Sequence, residues 1–351
     1  MLVSSTESLT ETIINALERS AIEQSAHHRA PKGQSAHTVD NTQCWLVTVV
    51  NTYGSSPRPA GSMMFWSRYS GVVGSVSGGC IEEDILQKIR EGAIDCKSTT
   101  LLSYGGPNTS QARFKLPCGG ELSVIIEPLK NSDAERVKWQ ALHQSLKQRQ
   151  GIARILNRLT GEWHWQLSRA FMFKSTKDTL HMYVGPVRKL LIVGANPTAI
   201  YLAQFASALD FNVTVCDPSD DASHYWQSVQ HCQYIKAYPD GFVARDFGDS
   251  ASAVVAVSHD PRIDDMALLE ALPTQAFYVG AMGAKRTSQK RCERLKLLGL
   301  SNTDIQALHA PIGLDIGSKT PSEIAMSIAA HLVQQYNKVV AQQELSASCV
   351  L

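Results

Sequence analysis

Residues 188–219 read RKLLIVGANPTAIYLAQFASALDFNVTVCDPS. An apolar run, a turn at Gly194, a helical stretch opened by Pro197 and a second apolar run ending on Asp217 make a strand–helix–strand unit. That order and spacing suit a dinucleotide-binding βαβ unit, in which a helix N-terminus receives a phosphate and an acid holds a ribose hydroxyl. The fingerprint is incomplete. The glycine pattern becomes Gly194-Ala195-Asn196-Pro197-Thr198-Ala199, with Asn196 where a glycine would let the backbone meet a pyrophosphate. The pattern therefore signals the fold more firmly than the ligand.

The alternation continues toward the C-terminus. ASAVVAVSHDP (251–261) is a buried strand with a polar tip at Ser258, His259 and Asp260, and ligands of open α/β sheets sit outside the carboxyl ends of strands. QAFYVG leads into Gly280-Ala281-Met282-Gly283-Ala284-Lys285-Arg286 and a basic helix. Glycines, a helix start and two cations together describe an anion site; a solvated basic face is the alternative. PIGLDIG (311–317), with Asp315, is a loop that contacts a ligand or simply connects. Thr320, Pro321 and Glu323 then form the start of a last helix, with a capping box.

The front half differs. Short β-rich segments dominate it, and the chain divides near residues 168–187. Leu9, Ile13, Ile14, Leu17 and Ile22 make the stripe of an opening helix. Residues 25–42 are polar and predict a flexible insertion; its His27, His28 and His37 are read as solvated rather than metal-binding. Strands follow at 44–52, SMMFW, GVVGSV, 98–104 and 121–129, then a helix at 133–149 and strands GIARILNRL and EWHWQLS.

Two cysteines lie in mirrored settings. GVVGSVSGGCIEED (71–84) places Cys80 after Gly78 and Gly79 at a helix start, and PCGG places Cys118 before Gly119 and a strand. A helix N-terminus favours a thiolate, which suits metal contact or sulfur transfer. Glu82, Glu83 and Asp84 oppose it, and small buried thiols in a tight sheet fit the same residues.

Composition narrows the classes. The chain has 351 residues, which suggests two domains, with 44% hydrophobic and 19% charged residues and a net charge of +1. So near-neutral a chain gives no field for nucleic acid or acidic membrane surfaces. No apolar run approaches the roughly 18 residues of a membrane span, and the acidic amphipathic start lacks signal-peptide character. Eight cysteines without a C-x-x-C pair do not make a disulfide framework, so reduced thiols in the cytoplasm are expected.

Six blocks in order, YGSSPRPAGSMM, GSVSGGCIEEDI, PCGGELSVIIEPL, VVAVSHDP, YVGAMGAKR and PIGLDIGSKTPSEIA, together with the strand–helix–strand unit, resemble the XdhC/CoxI family of molybdenum-cofactor accessory proteins. The resemblance implies an N-terminal α+β domain (1–167), a linker (168–187) and a Rossmann-like doubly wound parallel-sheet domain (188–351). It implies a chaperone rather than the dehydrogenase itself. Such a protein binds the molybdenum cofactor as molybdopterin or its dinucleotide, assists exchange of an oxo ligand for sulfur from a cysteine desulfurase, and delivers the product to an apo-enzyme of the xanthine dehydrogenase or aldehyde oxidase type. Cys80 and Cys118 take the family's GGC and CGG positions, with Cys80 as the metal-facing thiol. Gly78, Gly79, Gly119, Gly194, Asn196, Asp217, His259, Asp260, Gly280, Gly283, Lys285, Arg286 and Asp315 are the expected cofactor contacts. The glycine-bordered thiols of the front half are expected to face a crevice built by the back half. A homodimer is expected on general grounds. The competing reading is an NAD(P)-dependent oxidoreductase with His259 as proton donor; a regulatory partner of a molybdoenzyme, its Rossmann domain empty, is a third. No iron–sulfur cysteine spacing is present.

Overall fold

A computed structural model describes residues 6–28, 44–54, 58–105, 120–168, 171–220, 226, 229 and 232–348. The chain separates into two compact units, with the division between Pro186 and Val187.

In the first unit, α1 (Thr6–His28) precedes β1 (Cys44–Tyr53), β2 (Met63–Ser67), β3 (Gly71–Gly74), α2 (Cys80–Arg90), β4 (Thr100–Tyr104), β5 (Glu121–Pro128) and α3 (Asp133–Lys147). The strands form an antiparallel sheet in the order β3-β2-β1-β5-β4. β1 is buried over its first seven residues, all apolar but Thr48, because both faces are covered there. Cys44, Leu46 and Val50 face α1 and α3, while Trp45, Val47 and Val49 face α2, alternating as a pleated strand must. Residues 25–28 of the expected insertion are the last turn of α1; 29–42 lie outside the described residues.

A second antiparallel sheet, β7-β6-β9-β8, joins β6 (Ile152–Asn157), β7 (Trp163–Leu167), β8 (Phe173–Ser175) and β9 (Thr179–Val184). The stretch 168–187, expected to be a linker, thus carries two strands, with β9 paired along all of β6. Its polar, interrupted sequence hid them, because β8 has three residues and β9 alternates across a half-covered sheet.

Between the sheets and α3 lies a buried charged cluster. Arg154, 1% exposed, donates to both oxygens of Glu127 at 3.1 and 2.7 Å. Its guanidinium lies 4.6 Å from the Trp163 ring centroid and 5.4 Å from that of Trp139. Both indole N–H groups donate to Glu135 Oε1, at 2.7 and 3.0 Å.

The second unit begins with β10 (Lys189–Val193), α4 (Pro197–Ala208), β11 (Asn212–Cys216) and β12 (Gln233–Ile235). α5 (Val243–Phe247), β13 (Ser252–Ala256), α6 (Pro261–Ala271), β14 (Tyr278–Ala281), α7 (Lys285–Leu297), α8 (Asn302–Gln306), β15 (Leu308–His309) and α9 (Pro321–Ser348) follow. Six parallel strands run in the order β12-β11-β10-β13-β14-β15, the Rossmann arrangement. α4 and α9 cover one face and α5, α6 and α7 the other. Both faces being covered, the strands are continuous apolar runs. α9 starts as read from sequence: the Glu323 carboxylate accepts from the Lys319 and Thr320 N–H groups at 2.8 and 3.0 Å.

Arg154→Ala would strand Glu127 as an unpaired buried carboxylate and should cost about 3–5 kcal/mol in urea unfolding, whereas the double replacement Glu127→Leu with Arg154→Met should recover most of that loss.

Candidate functional sites in each unit

Gly79 caps α2, and the loop before it is organised by one carboxylate. Glu82, 8% exposed, accepts six hydrogen bonds: from Ser75 Oγ at 2.7 Å, from the N–H groups of Val76, Ser77, Gly78 and Gly79 at 2.9, 2.8, 3.0 and 3.0 Å, and from Ser77 Oγ. Burial alone would raise this carboxyl; the bonds from Ser77 and Ser75 and the loop amides outweigh burial and hold it at about 2. The carboxylate stands in the first helical turn, where the dipole also favours it. Asp84 pairs with Lys88 and accepts from Tyr104 Oη at 2.8 Å, and Glu83 is exposed. The three acids after Cys80 therefore have separate duties. The sequence marked Glu82 only as one of three acids at the helix start; its role as the centre of the loop comes from the structure.

Cys80 is the first residue of α2. Its loop leaves the sheet at the end where β4 finishes at Tyr104 and β5 begins at Glu121. Gly105, at φ +78°, passes so close to Gly120 that a Cβ would stand 2.2 Å from the Gly120 carbonyl oxygen. Cys118 and Gly119 lie outside the described residues.

In the second unit all strands are parallel, so Gly194, Asp217, Ser258, Met282 and Ala310 leave from one edge. Gly194, at φ +106°, lies against β13's exit, where a Cβ would stand 2.5 Å from Ser258 Cα. The start of α4 is satisfied from within. Asn196, 7% exposed, caps it by accepting from Ala199 N–H at 3.1 Å, and its Nδ2 donates to the Val257 carbonyl at 2.5 Å. Asp217 accepts from the N–H groups of Ala195 and Ser219, each at 2.8 Å. Asn196 thus ties β10 to β13 where a nucleotide-binding glycine would leave room.

The start of α7 is different. Its N-cap, Ala284, supplies no side-chain cap. Lys285 and Arg286 are exposed, and no ion pair joins them to another described residue. Ser288 Oγ is buried without a hydrogen-bond partner, 3.7 Å from where a Cβ on Gly283 would stand. The preceding loop is anchored from behind: Arg291 donates to the Met282 carbonyl at 3.0 Å, to Asp264 at 2.8 Å and to Asp265 at 3.2 Å, and Arg294 also meets Asp265. Burial pushes the Asp264 carboxyl up to about 6, while Arg291 and Ser258 pull it down. Nothing in the basic run KRTSQKRCERLK marks Arg291 as its buried member; only packing does.

The remaining expected contacts in this unit do not converge. His259 is exposed. Asp260 caps α6 and pairs with Arg262 at 2.6 Å. Gly280 is buried inside β14, where a Cβ would stand 2.7 Å from Ile312 Cδ1. Asp315 is exposed in a loop without regular structure. Among the described residues, no group of three or more His, Cys, Asp or Glu is arranged to hold a metal, and no helix is long and apolar enough to cross a membrane.

The architecture is a mixed α/β protein, an antiparallel unit followed by a Rossmann unit. Residues 39–105 match the XdhC and CoxI family and residues 190–332 the XdhC Rossmann domain, and the chain belongs to the XdhC/CoxI family. It is 25% identical, over 86% of its length and 95% of the relative's, to a probable xanthine dehydrogenase subunit of Bacillus subtilis (strain 168). It is 22% identical, over 82% of its length and 81% of the relative's, to the molybdenum cofactor insertion chaperone PaoD of Escherichia coli (strain K12). A crystal structure described as a xanthine dehydrogenase from Bacillus halodurans shares the fold, with TM-score 0.64 and 23% identity over 93% of this chain and 96% of that one.

Glu82→Gln should loosen the Cys80 loop and destabilise the first unit by roughly 3 kcal/mol at neutral pH, from the displacement of the carboxyl from 4.5 to about 2. Because the folded carboxyl is the stronger acid, its contribution is complete above pH 4.5 and fades as pH falls toward 2. Urea unfolding of both proteins across that range should show the difference between them shrinking, and a pH-independent difference would refute the assignment.

Proposed function

We propose that this protein is a carrier of the molybdenum cofactor, which is its cargo rather than a resident group. The observation that carries the reading is the contrast between two helix starts on one sheet edge. Asn196 and Asp217 occupy the α4 start, whereas α7 keeps free first-turn N–H groups beside Lys285, Arg286 and the unpartnered Ser288 hydroxyl. The phosphate-bearing half of the cofactor, as molybdopterin or its dinucleotide, binds at α7. The metal–dithiolene half is assigned to Cys80 and Cys118, since soft thiolates match a soft metal–sulfur centre.

The name of the Escherichia coli relative supports insertion as the role. The cargo is sulfurated with sulfur from a cysteine desulfurase and delivered to an apo-enzyme of the xanthine dehydrogenase or aldehyde oxidase type, in the cytoplasm, by a protein that self-associates with closed symmetry. An ordinary NAD(P) oxidoreductase is disfavoured because the dinucleotide turn is filled by its own side chains.

Protein purified from cells that make the cofactor should release a fluorescent pterin on oxidation. Lys285→Ala with Arg286→Ala should lower that yield about tenfold while leaving the melting temperature unchanged. An empty preparation that binds a nicotinamide nucleotide tightly would overturn the reading. Cys80→Ala should retain the fold and the pterin yet activate the client enzyme less; full activation would return Cys80 to a packing role.

A further inference from the structure

The first unit carries a cleft at the sheet end opposite the Cys80 loop. It lies where β4 begins and β5 ends, against α3 and the β6–β7 turn, and encloses about 180 Å³. Its walls carry opposite charges in separate places. Glu127 and Glu135 line it, as do Trp163, Lys97, Lys130 and Lys138.

The two acids are not equivalent. Glu127 is neutralised by Arg154. Glu135 is 8% exposed, and its Oε1 accepts from the two indoles, which bring no charge. Among the described residues it joins no ion pair, and both indole bonds fall on one of its two oxygens. A nearly buried carboxylate in this state calls for a cation from outside. Lys138 does not supply it, because its Nζ donates to the Trp163 carbonyl at 3.0 Å and lies over that ring.

The mouth of the cleft has the opposite need. Lys97 and Lys130 are exposed and join no ion pair among the described residues. The start of α3 lines the same mouth. There Ser132 Oγ takes the Glu135 N–H, while the N–H groups of Asp133 and Ala134 have no partner within the helix. A guest that satisfies both walls has an ammonium for Glu135 and a carboxylate for the lysines and helix start, close together. We propose that this cleft binds a small zwitterion of the α-amino-acid class. The site is separate from the cofactor reading and stands or falls without it.

Calorimetric titration of the full-length protein with glycine and L-alanine tests it, with methylammonium and acetate as single-charge controls. Glycine and alanine should bind saturably, and each control about tenfold more weakly. Glu135→Gln should weaken glycine binding about tenfold or more. Because that change touches the indole bonds, Lys97→Ala with Lys130→Ala serves as the second variant; it should also weaken binding, about threefold to tenfold, at an unchanged melting temperature. Absence of binding by either amino acid, acetate binding as well as glycine, or unaltered binding in both variants would each overturn the proposal. None of these results would alter pterin retention.

Discussion

A single carboxylate organises the loop that leads into α2 in the first unit. Four consecutive backbone N–H groups and two hydroxyls converge on Glu82, so Ser75 to Gly79 cannot rearrange without stranding a buried charge. Gly78 and Gly79, at φ +91° and +151°, hold a backbone that side-chain-bearing residues rarely adopt, and it brings both amides to the one carboxylate. The cost of burying the acid is offset by donors that the loop would otherwise have to expose. Cys80 therefore begins its helix from a rigid base, and the negative charge beside it is already committed to the loop.

The second unit applies the same economy to a different end. A Rossmann sheet offers several strand exits on one edge, and each following helix is a potential anion site. Here Asn196 closes the first of these by serving as cap and as cross-strand tie, and Asp217 takes the amide next to it. The α7 start remains open because its loop is secured from behind, through Arg291, rather than from its own cap. Closure of one site and exposure of another are both decided by side chains within a few residues of a strand end.

The two ends of the first sheet are also chemically distinct. At one, glycines and a cysteine leave the strands; at the other, a buried arginine, two indoles and two carboxylates form a charged floor under a lysine rim. Indoles that donate to a carboxylate fix its position without neutralising it. The arginine that lies beside both rings pairs with the neighbouring acid and forms no ion pair with this one. A wholly apolar core would have been simpler to build, which is why the arrangement reads as a site rather than as packing alone.

Much of the architecture was legible in the chain itself. Period and length separated strands from helices in RKLLIV, SAVVA and CWLVTVV, because a covered sheet demands unbroken apolar runs, and the capping box at Thr320–Glu323 marked the last helix, because helix starts need local acceptors. The short strands β8 and β9 were not legible, since their stability comes from pairing with β6 and not from their own composition. Glycine turns, the paired cysteine settings and the basic run after Gly283 were visible as candidates for chemistry. Which candidates keep free groups was not. Asn196 could have been a damaged ligand contact or a structural tie, and Arg291 one more solvated cation. Only tertiary packing distinguishes them, because a polar group's availability depends on the partners that distant segments bring to it.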